Sequence, residues 1–294
     1  MHNRSKLALG TVQFGIDYGV NSTEGQVEPK EVENILHYAR SKGIDLLDTA
    51  PAYGSSEKVL GEVNAQNFKI VTKTRHFDSL EINDNDINLL NNDFYHSLEC
   101  LKQDSVYGVL VHNADDLLKP GSEKIFKQLQ ELKYAKKIVK TGVSVYDHSQ
   151  LQTILDNFNI DLVQLPFNIL DRRMIDSGML AKLQEKDIEV HARSIFLQGL
   201  LLMSVQNRPE KFNRWSGLWR IWHEWLNDNQ LTALEATIRH AVSISGISKV
   251  LVGVDNLDQL KEIVTASTGV LPKIPNELFT NDTDLLNPSN WSKL

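Results

Sequence analysis

The sequence predicts an α/β protein folded as one domain over residues 1–294, a (β/α)8 TIM barrel, and three observations carry that prediction. Eight short apolar runs recur along the chain, each nearly continuous rather than alternating, as strands buried on both faces are. Stretches with helical period separate them. The length of 294 residues suits a single barrel of this kind, which takes about 250, and no linker or low-complexity tract divides it.

In order, the runs are Leu7–Val12, Ile44–Thr49, Lys69–Lys73, Val106–His112, Thr141–Val145, Leu162–Phe167, Glu189–Ile195 and Val250–Gly253. After the first, Val32, Ile35, Leu36 and Ala39 share a helical face, with Pro29 just inside its start and Gly43 just past its end. After the third, Ile87, Leu90, Phe94, Leu98 and Leu101 form a stripe for which Asp86 is the expected cap. Ile125, Leu129 and Leu132 form another stripe. Asp147 and Asn256 each follow a strand and precede a helical segment, positions that suit N-caps. A doubly wound open sheet shows the same alternation. However, neither a Gly-x-Gly-x-x-Gly nor a Gly-Lys-Ser/Thr sequence follows an early strand, so count and length favour the closed barrel. An enlarged loop is expected after the seventh strand, from Leu197 to Asn229. The polar tail from Gly269 to Leu294, with Pro272, Pro275 and Pro288, is expected to wrap the barrel as coil.

The composition is that of a globular protein with a large core, 41% hydrophobic and 23% charged. A net charge of −7 and the lack of any long Lys/Arg run exclude a nucleic-acid track. The only cysteine, Cys100, rules out an intramolecular disulfide, fits a reducing compartment, and reads as helix packing rather than as a nucleophile. No apolar stretch has signal-peptide or membrane-span length, so the protein is expected to be cytoplasmic, off the membrane, and a monomer or small homo-oligomer. The sequons at Asn3, Asn21, Asn281 and Asn290 then read as chance matches, and no metal site is expected.

Asp48, Lys73 and His112 each stand at the end of a strand run, and Tyr53 lies in the turn after the second run. In a parallel barrel, such positions converge on the C-terminal face, where the chemistry sits. Hydride reduction of a carbonyl leaves negative charge on oxygen, so it needs a positioned proton donor and electrostatic support. A free tyrosine, with a pKa near 10, is a reluctant acid, and a neighbouring Lys is expected to lower that value. Asp48 would hold Lys73 charged, and His112 would orient the carbonyl oxygen. Each residue has a structural alternative: Asp48 as a turn cap, Tyr53 as a packing tyrosine, Lys73 as a solvated strand end, His112 as a core histidine. The four together, at successive strand ends, favour function.

The stretch Asp48-Thr-Ala-Pro-Ala-Tyr-Gly54, followed by Lys73 and His112 at the next two strand ends, resembles the aldo-keto reductases. The similarity extends over nearly the whole chain. It takes in Leu9-Gly-Thr11, Gly142-Val-Ser144, Gln164-Leu-Pro-Phe-Asn168, Ser194 with Gly199-Leu-Leu, and Leu251-Val-Gly253 leading to Gln259-Leu-Lys-Glu262. The resemblance implies a (β/α)8 barrel, an extended NAD(P)H cofactor bound without a Rossmann domain, and a small-molecule carbonyl substrate. It assigns catalysis to Asp48, Tyr53, Lys73 and His112. Cofactor binding falls to Gly10, Thr11, Ser144, Gln164, Arg193, Ser194, Gly253, Asp255, Gln259 and Glu262, with Ser144 and Gln164 on the nicotinamide carboxamide.

The chain departs from the family pattern in places. Val145 follows Ser144 where the family has Asn, and Arg193 stands where an aromatic often stacks on the nicotinamide. A guanidinium can stack on a ring, but it also suits an anionic substrate or phosphate. Gly253-Val-Asp-Asn-Leu-Asp-Gln259 lacks the cation that pairs with a 2′-phosphate, and Asp255 would repel one, so NADH is favoured over NADPH. The other reading of Asp255 or Asn256 is a helix cap. The enlarged loop carries Trp215, Trp219, Trp222 and Trp225, with the first three on one helical face. Most of that face is expected to pack on the barrel, with Phe14, Trp215 and Trp219 as candidates for the substrate mouth.

The function expected is NAD(P)H-dependent reduction of an aldehyde or ketone, with a sugar-derived carbonyl suggested by the aromatic and arginine loop. Two alternatives stand: a redox-neutral epimerase or lyase with a retained nicotinamide, and a cofactor-sensing binding module.

Overall fold

The computed structural model describes residues 5–18 and 25–294; the sequons at Asn3 and Asn21 lie outside the described residues. Among these, eight parallel strands close in sequence order into a barrel: β1 (Leu7–Gly10), β2 (Leu46–Asp48), β3 (Lys69–Lys73), β4 (Val106–Val111), β5 (Ile138–Ser144), β6 (Leu162–Pro166), β7 (Glu189–Arg193) and β8 (Lys249–Val252). Closure comes from β1 against β8, with Leu7, Ala8 and Leu9 registered on Val250, Leu251 and Val252. All but β3, which matches its run, end one or two residues before the apolar runs do, because the chain leaves the ladder there to form the site loops.

The helices that alternate with the strands are α1 (Pro29–Ser41), α2 (Ser56–Glu62), α3 (Asp84–Leu101), α4 (Glu123–Tyr134), α5 (His148–Asn157), α6 (Arg173–Asp176), α7 (Met179–Glu185), α8 (Ser216–Asp228), α9 (Ala233–Ser243), α10 (Leu257–Ala266) and α11 (Thr283–Leu286). Pro29 opens α1, and Gly43 follows its end with φ of 74°. The cap of α3 is Asn83 rather than Asp86: the Asn83 side chain accepts from the backbone of Asp86, whose carboxylate accepts in return from Asn83 N–H. Asp147 and Asn256 cap α5 and α10 as expected. None of the described helices is long and apolar enough to cross a membrane.

The barrel interior is layered. Lys69, Tyr107, Lys140, Glu189 and Lys249 gather at the N-terminal ends of their strands, where Glu189 accepts from Tyr107 at 2.7 Å and pairs with Lys140 at 2.6 Å. Above them lies an apolar layer of Ala8, Leu46, Val71, Leu110, Leu162 and Leu251. The main core fills the space between strands and helices, where Val32, Ile35, Leu36, Leu90, Phe94, Ile125 and Leu129 are buried.

The tail is coil only in part, over 269–275 and 279–282. Asn276–Leu278, α11 and Pro288–Lys293 are helical turns that bury Leu278, Leu285, Leu286 and Trp291. These side chains join Phe212, Trp219, Trp222, Trp225 and Leu226 of the enlarged loop in a second hydrophobic cluster. Pro275 and Pro288 start helical turns here rather than prevent them, and the apolar residues of those turns provide the driving force for docking.

Candidate active site

Successive strand residues point to opposite faces, so interior positions recur every second residue. One step beyond the apolar layer, the interior positions of the eight strands are Gly10, Asp48, Lys73, His112, Ser144, Gln164, Arg193 and Gly253. All but Lys73 line a single cavity of about 560 Å³ at the C-terminal mouth, and Tyr53 joins them from the turn after β2. Lys73 lies behind this surface, 3% exposed.

Its ammonium donates to Asp48 Oδ2 at 2.7 Å and to the Thr49 carbonyl at 2.9 Å. The same Nζ lies 4.8 Å from the centre of the Tyr53 ring. Burial opposes the Lys73 charge, yet the Asp48 carboxylate and the Tyr53 phenol outweigh it and hold Lys73 above its ordinary value. Asp48 is therefore bound on both oxygens, since Gln164 Nε2 donates to Oδ1 at 2.6 Å. The expected lowering of Tyr53 is reversed: burial raises its phenol, and the charge of Lys73 only partly offsets that. His112 meets Tyr53 edge-on with ring centres 6.1 Å apart. Burial first, then the Lys73 charge, lowers its pKa to about 4, so the imidazole is neutral at pH 7.

The Tyr53 turn is built by close backbone approach. A Cβ on Gly15 would stand 1.8 Å from the Tyr53 carbonyl oxygen, and Gly54 follows with φ of 58°. Under the turn, the Ser56 hydroxyl donates to the Thr11 carbonyl at 2.9 Å and lies 2.8 Å from the Thr11 hydroxyl, which also reaches the Asp48 carbonyl at 3.0 Å. Thr11 thus borders the cavity with its hydroxyl turned into the wall.

Among the candidate cofactor residues, Gly10, Thr11, Ser144, Gln164, Arg193, Ser194, Gly253, Asp255 and Gln259 border the cavity, whereas Glu262 is exposed one turn farther along α10 and does not. Asp255 N–H donates to Gln259 Oε1 at 2.8 Å, Gln259 Nε2 donates to Asp255 Oδ2 at 3.3 Å, and Asn256 is the residue that caps the helix. The structure keeps Phe14, Trp215 and Trp219 out of the cavity. Phe14 is fully buried in the main core, and both tryptophans belong to the second cluster, where their indoles donate to Asp282 and to the Phe212 carbonyl. Apolar burial against the tail outcompetes exposure at the mouth. Besides Tyr53, the aromatics that line it are Tyr18, Tyr146 and Phe196, which sequence reasoning missed. Tyr146 stands two residues past Ser144, so strand parity would have found it.

Residues 6–276 match the sequence profile described as the Aldo/keto reductase family. The curated aldo-keto reductase YhdN of Bacillus subtilis is 28% identical over 190 residues, covering 59% of this chain and 53% of that protein. The NADH-specific methylglyoxal reductase of Escherichia coli is 27% identical over 221 residues, covering 68% of this chain and 66% of that protein. The matched segment thus spans between half and two thirds of these curated relatives. An aldo-keto reductase from Bacillus halodurans, solved in its holo form, superposes with a TM-score of 0.71 at 20% identity, covering 94% of this chain and 90% of the other. A glycerol dehydrogenase from Gluconobacter oxydans gives a TM-score of 0.69 at 18% identity, covering 92% and 88%. These two likenesses are of fold.

Proposed function

The chain belongs to the aldo/keto reductase family, and from that premise we propose that it reduces an aldehyde or ketone to the alcohol with NAD(P)H, Tyr53 donating the proton. The observation that carries this reading is the buried Asp48–Lys73 pair, 2.7 Å apart, set directly beneath Tyr53 at the floor of an open cavity.

The cavity suits a nicotinamide dinucleotide. Its volume of about 560 Å³ falls in the range of ligand sites, Gln164 and Ser144 present polar groups at the floor, and Gln13 Oε1 is a buried acceptor with no partner among the described residues. Ser144, Gln164, Ser194, Gly253, Asp255 and Gln259 would hold the cofactor. When bound, the reduced nicotinamide supplies hydride to the carbonyl carbon. Tyr53 gives its phenolic proton to the oxygen as charge develops there. Lys73 stabilises the phenolate that this leaves, and Asp48, anchored by Gln164, keeps Lys73 charged and in place. Neutral His112 has one N–H to donate, which orients the carbonyl without a competing proton source. The Asp255 carboxylate beside Gln259 favours NADH, because it would repel a 2′-phosphate and accept from a 2′-hydroxyl.

Titration with NADH and NADPH by nicotinamide fluorescence, followed by a panel of aldehydes and aldoses, tests the proposal. Tyr53→Phe is expected to lower kcat by a factor on the order of 10²–10⁴ while leaving the NADH Kd within about twofold. Failure to bind either cofactor, or a Tyr53→Phe enzyme as active as the parent, would overturn it.

A further inference from the structure

We propose that Glu57 is a positioning residue for the reductase chemistry: its buried carboxylate clamps the helix that follows Tyr53 to the strand that carries Lys73, and so sets the distance between phenol and ammonium. This inference rests on the reductase reading above and adds to it a residue outside the cavity wall.

Tyr53 and α2 are joined as one piece, because the Tyr53 carbonyl accepts at 3.1 Å from the N–H of Ser56, the first residue of the helix. Ser56 in turn ties α2 to Thr11, just past β1. At the other end of the helix, a Cβ on Gly61 would stand 2.0 Å from the Cys100 carbonyl oxygen, so α2 is pressed onto α3. The remaining side is held by Glu57, whose Oε1 accepts from the Thr72 hydroxyl at 2.6 Å. Thr72 immediately precedes Lys73 on β3, so this bond joins the segment that positions Tyr53 to the segment that positions Lys73.

Packing alone does not hold this corner. Behind it a cavity of about 10 Å³, room for one water, opens between Thr72, Lys73 and Ser97. Glu57 is also a costly residue to place there. It is 5% exposed, and burial pushes its carboxyl above the ordinary carboxylate range. An apolar side chain would fill the space without that penalty, but it would supply no short, directional bond to β3. The consequence falls on Tyr53. Lys73 Nζ stands 4.8 Å from the centre of its ring, and the attraction that favours the phenolate weakens as that distance grows. Glu57 does not line the cavity, so slackening the clamp separates the pair without altering the binding surface.

Fluorine NMR of protein labelled with 3-fluorotyrosine tests the clamp, because the resonance missing from Tyr53→Phe reports the ionisation of that phenol alone. Glu57→Ala is expected to raise the Tyr53 midpoint by about one pH unit, which makes it a tenfold weaker acid. The kcat for 4-nitrobenzaldehyde reduction should fall with it, while the NADH Kd stays within about twofold. Glu57→Gln keeps an oxygen for Thr72 and should restore the wild-type midpoint. Thr72→Val removes the donor and should reproduce Glu57→Ala, which covers the case of a Glu57→Ala protein that does not fold. A midpoint that Glu57→Ala and Thr72→Val both leave in place overturns the inference and leaves the reductase reading standing. A midpoint that falls in both Glu57→Ala and Glu57→Gln overturns it too, since Glu57 would then act through its charge. So does a raised midpoint with unchanged kcat. No turnover of any carbonyl, in a protein that binds NADH, removes both.

Discussion

His112 has a pKa of about 4 in the folded chain, against 6.5 for a free imidazole, because burial and the Lys73 charge disfavour its cation. It therefore stays neutral at every pH above about 4. The expected outcome is a reductase kcat/KM profile with no ionisation near 6.5, measured between pH 5 and 8 at saturating cofactor; a limb at 6.5 would show that His112 titrates as a free histidine. The sign for stability follows from the same shift. The unfolded chain takes up a proton as pH falls from 6.5 toward 4 and the folded chain does not, so the contribution of this residue is intact above 6.5 and declines below it. That Asp48, Tyr53, Lys73 and His112 come together at one end of the barrel was legible in the sequence, because each stands at or just past the end of an apolar strand run. The direction of the Tyr53 shift was not. It depends on how much of the ring is buried against how near the ammonium lies, and both are distances between residues twenty positions apart in sequence.

At the scale of the element, the Tyr53 turn is set by two glycines rather than by its own side chains. Gly15, past β1, lets the turn after β2 approach so closely that any Cβ would meet the Tyr53 carbonyl oxygen. Gly15→Ala is expected to push the turn outward and reduce kcat by about 100-fold, since an ångström of misplacement at the reacting group costs that order of rate. Paired kcat and Tm measurements check it, and an active, equally stable Gly15→Ala protein would show that the approach is not required. The pattern around Gly15 gave no hint of this role, because the contact joins loops from different strands. The cap of α3 shows the same limit on a smaller scale. Asp86 carries a capping signal, but the chain assigns it the reciprocal half of the box because Asn83, three residues earlier, satisfies the free N–H groups first.

Besides the apolar layer inside the barrel, two larger cores hold the molecule. The larger surrounds the barrel, and the smaller welds the tail to the enlarged loop through Phe212, Trp219, Trp222 and Trp291. Trp291 meets Phe212 edge-on at 4.9 Å and donates its indole N–H to the Leu285 carbonyl at 3.0 Å. Trp291→Ala is expected to destabilise the fold by about 3–5 kcal/mol. The kcat of the folded fraction should be unchanged, because neither Trp291 nor its partner Phe212 lines the cavity. Denaturant unfolding and kinetics at low temperature check both parts; a loss of activity at full stability would mean that the cluster shapes the site. Tryptophans spaced for one helical face were legible as a packed surface. What they pack against was not, because the tail lies some 60 positions later and reads as polar, proline-rich coil.

The sequence by itself determined the barrel and the side chains set around its C-terminal mouth. Both follow from local periodicity: eight buried runs set the strand count, and interior positions recurring every second residue place one polar or glycine position per strand at the mouth. Only the tertiary structure decided which aromatics line the cavity, that the tail is a folded part of the molecule, and that the Arg193 guanidinium is tied to the Val145 carbonyl at the cavity wall. These are outcomes of competition between distant segments for the same buried surface or the same charge. Such competition is settled by three-dimensional distance, which no local pattern along the chain encodes.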